Sequence, residues 1–138
     1  SLRSNEGSSS QSTEIHQFLE SSMEFTTDCA LGYIPAYARL GELLRECNRN
    51  TRCLEGEPAC GVLNETLSGI IKNGLDVGPE KPVKGYIFEA KYSDSGNVSF
   101  ESTILELSEG KCSGAVLGAE YLSPATPGII VSKLELCY

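Results

Sequence analysis

Six cysteines, a single histidine and closely spaced glutamate pairs are the side chains in this sequence whose types could do chemistry. A Ser-His-Asp or Cys-His nucleophile system must draw on His16, which has no partner motif around it and is expected to face solvent on a helix near the N-terminus. Zinc sites of mixed histidine and cysteine type fail for the same reason. Glu42 with Glu46, spaced i,i+4, and Glu106 with Glu109, spaced i,i+3, have the spacing for acid/base work on a helix. On exposed helix faces such pairs are solubilising charges. The glycines form no phosphate-cradling motif followed by Lys and Ser or Thr. No catalytic residue, metal site or cofactor is therefore assigned.

The cysteines carry a different chemistry. Cys29, Cys47, Cys53, Cys60, Cys112 and Cys137 form an even set without CxxC spacing, which favours disulfides over metal. Disulfides persist in oxidising compartments, so the chain reads as secreted or held in a secretory organelle. With no signal peptide visible, a mature form is expected. Cys29, Cys47, Cys53 and Cys60 are placed to cross-link a helical half. Cys112 and Cys137 either pair with each other or reach back to that half. Asn64-Glu65-Thr66 and Asn97-Val98-Ser99 are glycosylation sequons consistent with export.

With 138 residues, 40% of them hydrophobic, the chain is sized for one core, and a single α+β domain is expected over 13–138. The serine-rich residues 1–12 contain little that can be buried and read as a flexible arm. A net charge of -8 with scattered Lys and Arg offers no basic stripe for phosphates, which excludes nucleic acid. No apolar run approaches the roughly 18 residues that cross a bilayer, so membrane insertion is not expected. A monomer is expected.

These residues need elements to position them. Ser12 and Thr13 can cap a helix whose apolar face is Ile15, Phe18, Leu19 and Met23. Pro35 fits the first turn of a second helix with the stripe Ala36, Leu40, Leu43, Leu44 and Cys47. A stapled loop follows over 48–60. Leu63, Leu67, Ile70 and Ile71 mark a third helix, stopped by Asn73-Gly74. A Pro- and Gly-rich connector over 76–82 leads to an alternating strand over 83–92 and a turn over 93–96. The segment 98–107 suits strand or helix, and helix is the reading adopted. Strands are expected over 113–117 and 129–136, separated by a loop containing Pro124 and Pro127. The result is an antiparallel sheet of three or four strands packed with helices and stapled by disulfides.

Phe100, Glu101, Leu107, Gly110, Ser113 and Val116, with Gly128 and Lys133-Leu134, occupy positions that resemble the signature of parvulin-type prolyl isomerases. There, Phe-Glu opens a helix, a Leu-x-x-Gly-x-x-Ser-x-x-Val run leads into a strand, and a Gly-x-His-x-x-Lys-Leu strand closes the pattern. The resemblance covers roughly the last forty residues and supports the helix over 98–107. Ile130 stands where the parvulin pattern has its histidine. A parvulin-like pattern without catalytic residues, in a cysteine-rich chain, resembles the processed microneme proteins of apicomplexan parasites, which look like subtilisin prodomains. That resemblance implies a secreted protein of micronemes and the parasite surface, with a role in host-cell invasion, that inhibits a subtilisin-like serine protease by occupying its substrate cleft. The expected contact segment is Leu134, Glu135, Leu136, Cys137 and Tyr138, inserted as an added strand with Tyr138 in the primary specificity pocket, or else the loop from Tyr121 to Pro127 is the insert. The alternatives are a parvulin-like prolyl isomerase and a surface antigen or adhesin.

Overall fold

The apolar spacings of the sequence meet in one core in a computed structural model that describes residues 2–32, 36–94 and 101–138, with side chains from position 11 onward. The first helix, α1 (Leu2–Met23), includes the serine-rich N-terminal segment, and Ile15, Leu19 and Met23 at i,i+4,i+8 are its buried stripe. A two-stranded antiparallel sheet follows, β1 (Thr26–Leu31) and β2 (Ala36–Arg39). The buried Thr27 hydroxyl donates to the Ala38 carbonyl at 2.7 Å and ties the pair together.

Two helices come next. In α2 (Leu40–Asn48), Leu40, Leu43, Leu44 and Cys47 are buried, and the Glu42 carboxylate accepts the Arg39 N–H at 3.2 Å to cap the first turn. In α3 (Ala59–Gly74), Val62, Leu63, Leu67 and Ile71 face inward. The second predicted helix thus begins later than expected. Pro35 lies outside the described residues, while 36–39 is strand because β1 supplies a pairing partner that no local pattern reveals. The stripe from Leu40 to Cys47 is complete without Ala36, which is exposed.

The last third forms a four-stranded antiparallel sheet in the order β4-β3-β6-β5. Its strands are β3 (Gly85–Ser93), β4 (Glu101–Gly110), β5 (Val116–Ala125) and β6 (Gly128–Cys137). Two sequential pairs, β3 with β4 and β5 with β6, lie side by side and are joined through β3 and β6. Tyr86, Phe88 and Ala90 on β3, Leu105 and Leu107 on β4, and Ile130, Leu134 and Leu136 on β6 point to the helices and form one hydrophobic core with them. Phe88 and Leu134, each fully buried, sit opposite one another in the register.

Two further expectations change here. The predicted helix over 98–107 is wrong where the chain is described, because Glu101–Gly110 is strand β4; Val98 to Phe100 lie outside the described residues. Its core contacts are Leu105 and Leu107, an i,i+2 pair, and β3 pairs with one side of its backbone. Glu101, Leu107 and Gly110 therefore do not occupy the helix-and-turn positions of the parvulin pattern. The strand expected over 113–117 runs instead from Val116 to Ala125 and contains Pro124. An edge strand tolerates a proline because one side of its backbone needs no partner. The strand expected over 129–136 is present as β6.

All six cysteines are paired, as Cys29–Cys53, Cys47–Cys60 and Cys112–Cys137. The first two bind β1, α2, the loop and α3 together. The third pins the crossover between β4 and β5 to the end of β6. Among the described residues no helix is long and apolar enough to cross a membrane.

Candidate functional site

Side-chain alternation splits the four-stranded sheet into two unlike faces. One is sealed by the helices. The other carries Ile87, Glu89 and Lys91 from β3, Ile129, Val131, Lys133 and Glu135 from β6, and Val116, Glu120, Leu122 and Pro124 from β5. Register pairs Leu122 with Val131 and Pro124 with Ile129, so four apolar side chains gather at one end of this open face. Leu122 is 61% exposed and Ile129 41%, which is high for large apolar groups on a strand.

Beside the apolar group lies a row of charge. Glu89, Lys133 and Glu120 stand in register across β3, β6 and β5. Lys91 Nζ lies 3.4 Å from Glu101 and 3.5 Å from Glu89. Its hydrogen bond to Glu101, followed by the charge of Glu89, holds the ammonium above its ordinary 10.5. A shallow depression of about 320 Å³ is lined by Glu89, Lys91, Ser93, Glu101, Glu120, Ile129, Val131 and Lys133. This surface can bury apolar area and match charge.

The predicted contact segment lies in and after β6. Leu134 and Cys137 are fully buried and Leu136 is nearly so. Leu134, Glu135, Leu136 and Cys137 are paired with β3 on one side and β5 on the other. Glu135 is half-buried on the open face, and Tyr138 is 36% exposed at the end of the sheet. The Tyr138 N–H donates to the Ala115 carbonyl at 2.9 Å. Burial, and secondarily the charge of Glu14, pushes its hydroxyl above the usual 10.0.

The other residues with chemistry to offer have separate surroundings. His16 is half-buried rather than simply solvent-facing. Its Nδ1 lies 2.9 Å from the Glu120 carbonyl on the edge strand β5, its ring is 6.0 Å from that of Tyr121, and Nε2 is 3.8 Å from Glu20. The imidazole thus fastens α1 over the β5 edge. Glu46 accepts from the Thr51 hydroxyl at 2.8 Å and pairs with Arg49 at 3.2 Å, and Glu42 caps α2. Glu106 and Glu109, expected on one helix face, point to opposite faces of β4, and Glu109 pairs with Lys72 at 3.1 Å. Among the described residues no cluster of His, Cys, Asp or Glu is arranged to hold a metal ion.

Sequence reasoning did not find the apolar group on the open face. The period-2 alternation of β6 carried the signal, but Ile129 and Val131 on one face and Ile130 on the other are equally apolar. Only the position of the helices separates core from surface. The sequence matches no protein-family model and no curated protein.

Proposed function

We propose that this domain is a secreted, monomeric regulator that restrains a subtilisin-like serine protease as a prodomain does, by non-covalent docking on the enzyme. The observation that carries the reading is a four-stranded antiparallel sheet with helices on one face and an open opposite face that presents Leu122, Pro124, Ile129 and Val131. Subtilisin prodomains likewise pack a sheet on the enzyme, and burial of such a group against a protease surface is the favourable term. The adjacent Glu89, Lys133 and Glu120 row supplies orientation.

In this reading the segment Leu134, Glu135, Leu136, Cys137 and Tyr138 contacts the enzyme through Glu135 and Tyr138, its two members that are not committed to the core. Three disulfides are in keeping with release into an oxidising compartment, and a microneme-type secretory organelle and the parasite surface are the proposed locations.

The test is to add the purified domain to a secreted subtilisin-like protease and follow cleavage of a chromogenic peptide. Progressive, reversible slowing that is relieved by excess substrate is expected. Unchanged cleavage at a large molar excess of the domain overturns the proposal.

A further inference from the structure

The end of the sheet remote from the Leu122 and Ile129 group holds a second concavity, which shares only Tyr138 with the protease reading. It is an open depression of about 500 Å³ lined by the exposed residues Pro79, Lys84, Gly110, Lys111, Ser113, Gly114 and Tyr138. That volume is within the range of about 300–1,000 Å³ typical of small-ligand sites.

Its lining is unusual for this chain. The protein carries a net charge of -8, yet the lining includes two lysines and no Asp or Glu side chain. Lys84 Nζ donates to the Lys81 carbonyl, which holds the ammonium in place while leaving other donors free. Neither Lys84 nor Lys111 forms an ion pair with a carboxylate among the described residues. Tyr138 supplies an aromatic wall, fixed by its backbone bond to Ala115, and Pro79 adds a further apolar side chain.

Two glycines let the backbone segments that line the cavity pack closely against their neighbours. Gly110 has a φ of 78°, in the left-handed region, and a Cβ there would collide with the Lys84 carbonyl. A Cβ at Gly114 would lie 2.6 Å from the Tyr138 carbonyl oxygen. The Cys112–Cys137 bridge anchors both lining segments at once, because Gly110, Lys111, Ser113 and Gly114 flank one half-cystine and Tyr138 follows the other.

From this arrangement we infer that the cavity is a binding site for a carboxylate attached to an aromatic or apolar body, the two ammonium groups taking the carboxylate and the Tyr138 and Pro79 walls taking the body. Charge-assisted hydrogen bonds fix the anion, and the ring fixes the apolar part. A free small acid and the C-terminal residue of a peptide present the same chemistry.

The experiment is an amide chemical-shift titration of the full chain with N-acetylphenylalanine, with its neutral C-terminal amide, and with acetyl-Ala-Ala-Phe. The expected result is saturable shifts for Gly110, Lys111, Ser113, Gly114 and Tyr138 with the acid. The amide should bind about tenfold more weakly, as loss of a hydrogen bond to a charged group implies. Lys84→Gln and Lys111→Gln should each weaken the acid without moving resonances far from the cavity. Tighter binding of the tripeptide than of the single residue assigns the site to a peptide terminus, and the reverse order assigns it to a small acid. Absence of saturable shifts, equal response to acid and amide, or shifts centred elsewhere overturns the inference. Protease inhibition is read separately, so either proposal can fail without the other.

Discussion

Removing the Cys112–Cys137 bridge by Cys112→Ser with Cys137→Ala tests how the four-stranded sheet is closed at one end. The bridge spans 25 residues of sequence. A cross-link of that span restricts the unfolded chain by about 3.5 kcal/mol at 25 °C in the chain-entropy treatment. Some local order survives its loss. Tyr138 N–H still donates to the Ala115 carbonyl at 2.9 Å, and Lys84 N–H to the Cys137 carbonyl at 2.7 Å. Cys137 is fully buried, so alanine there leaves a small void that adds to the loss. The net expectation is a loss of about 3–4 kcal/mol, within the 5–15 kcal/mol that domains possess, so the variant folds but is marginal. Equilibrium urea unfolding followed by far-UV circular dichroism measures this. A lower midpoint and a steeper dependence on urea are expected, because the unfolded chain is freed to expand. A loss below about 1 kcal/mol with an unchanged slope would refute the reasoning, since hydrogen bonds and packing alone would then hold the crossover.

Other expectations follow from single groups. Ser132 on β6 is fully buried and its hydroxyl has no hydrogen-bond partner among the described residues, so Ser132→Ala should raise stability by about 1 kcal/mol in thermal unfolding. A fall of that size would mean that the hydroxyl is satisfied. Burial pushes the Tyr86 hydroxyl above its usual 10.0 against the lowering effect of Ser68, so the folded state holds this proton more tightly than the unfolded chain does. Its contribution is complete below pH 10 and is lost as pH rises through the folded value; Tyr86→Phe should flatten that alkaline decline, measured by unfolding at a series of pH values. On the open face, Leu122→Asp with Ile129→Asp should weaken inhibition of a subtilisin-like protease more than tenfold, as loss of two buried apolar contacts implies, while leaving the unfolding midpoint nearly unchanged. Retained inhibition would remove this face from the interface.

Local periodicity and composition were enough to place several elements. Ile15, Leu19 and Met23 specified a helix, Leu63, Leu67 and Ile71 another, and the alternation through Tyr86, Phe88 and Ala90 a strand, because each pattern buries its own face in its own period. The even cysteine set likewise implied bridges. Tertiary structure decided the rest, because those features depend on partners distant in sequence. Residues 36–39 became strand only because β1 lies beside them, and Glu101–Gly110 only because β3 offered an edge to a segment equally able to be helical. The same holds for which cysteine meets which. It also holds for the open face, where Ile129 and Ile130 are identical side chains, one exposed and one buried according to which side of the sheet the helices cover.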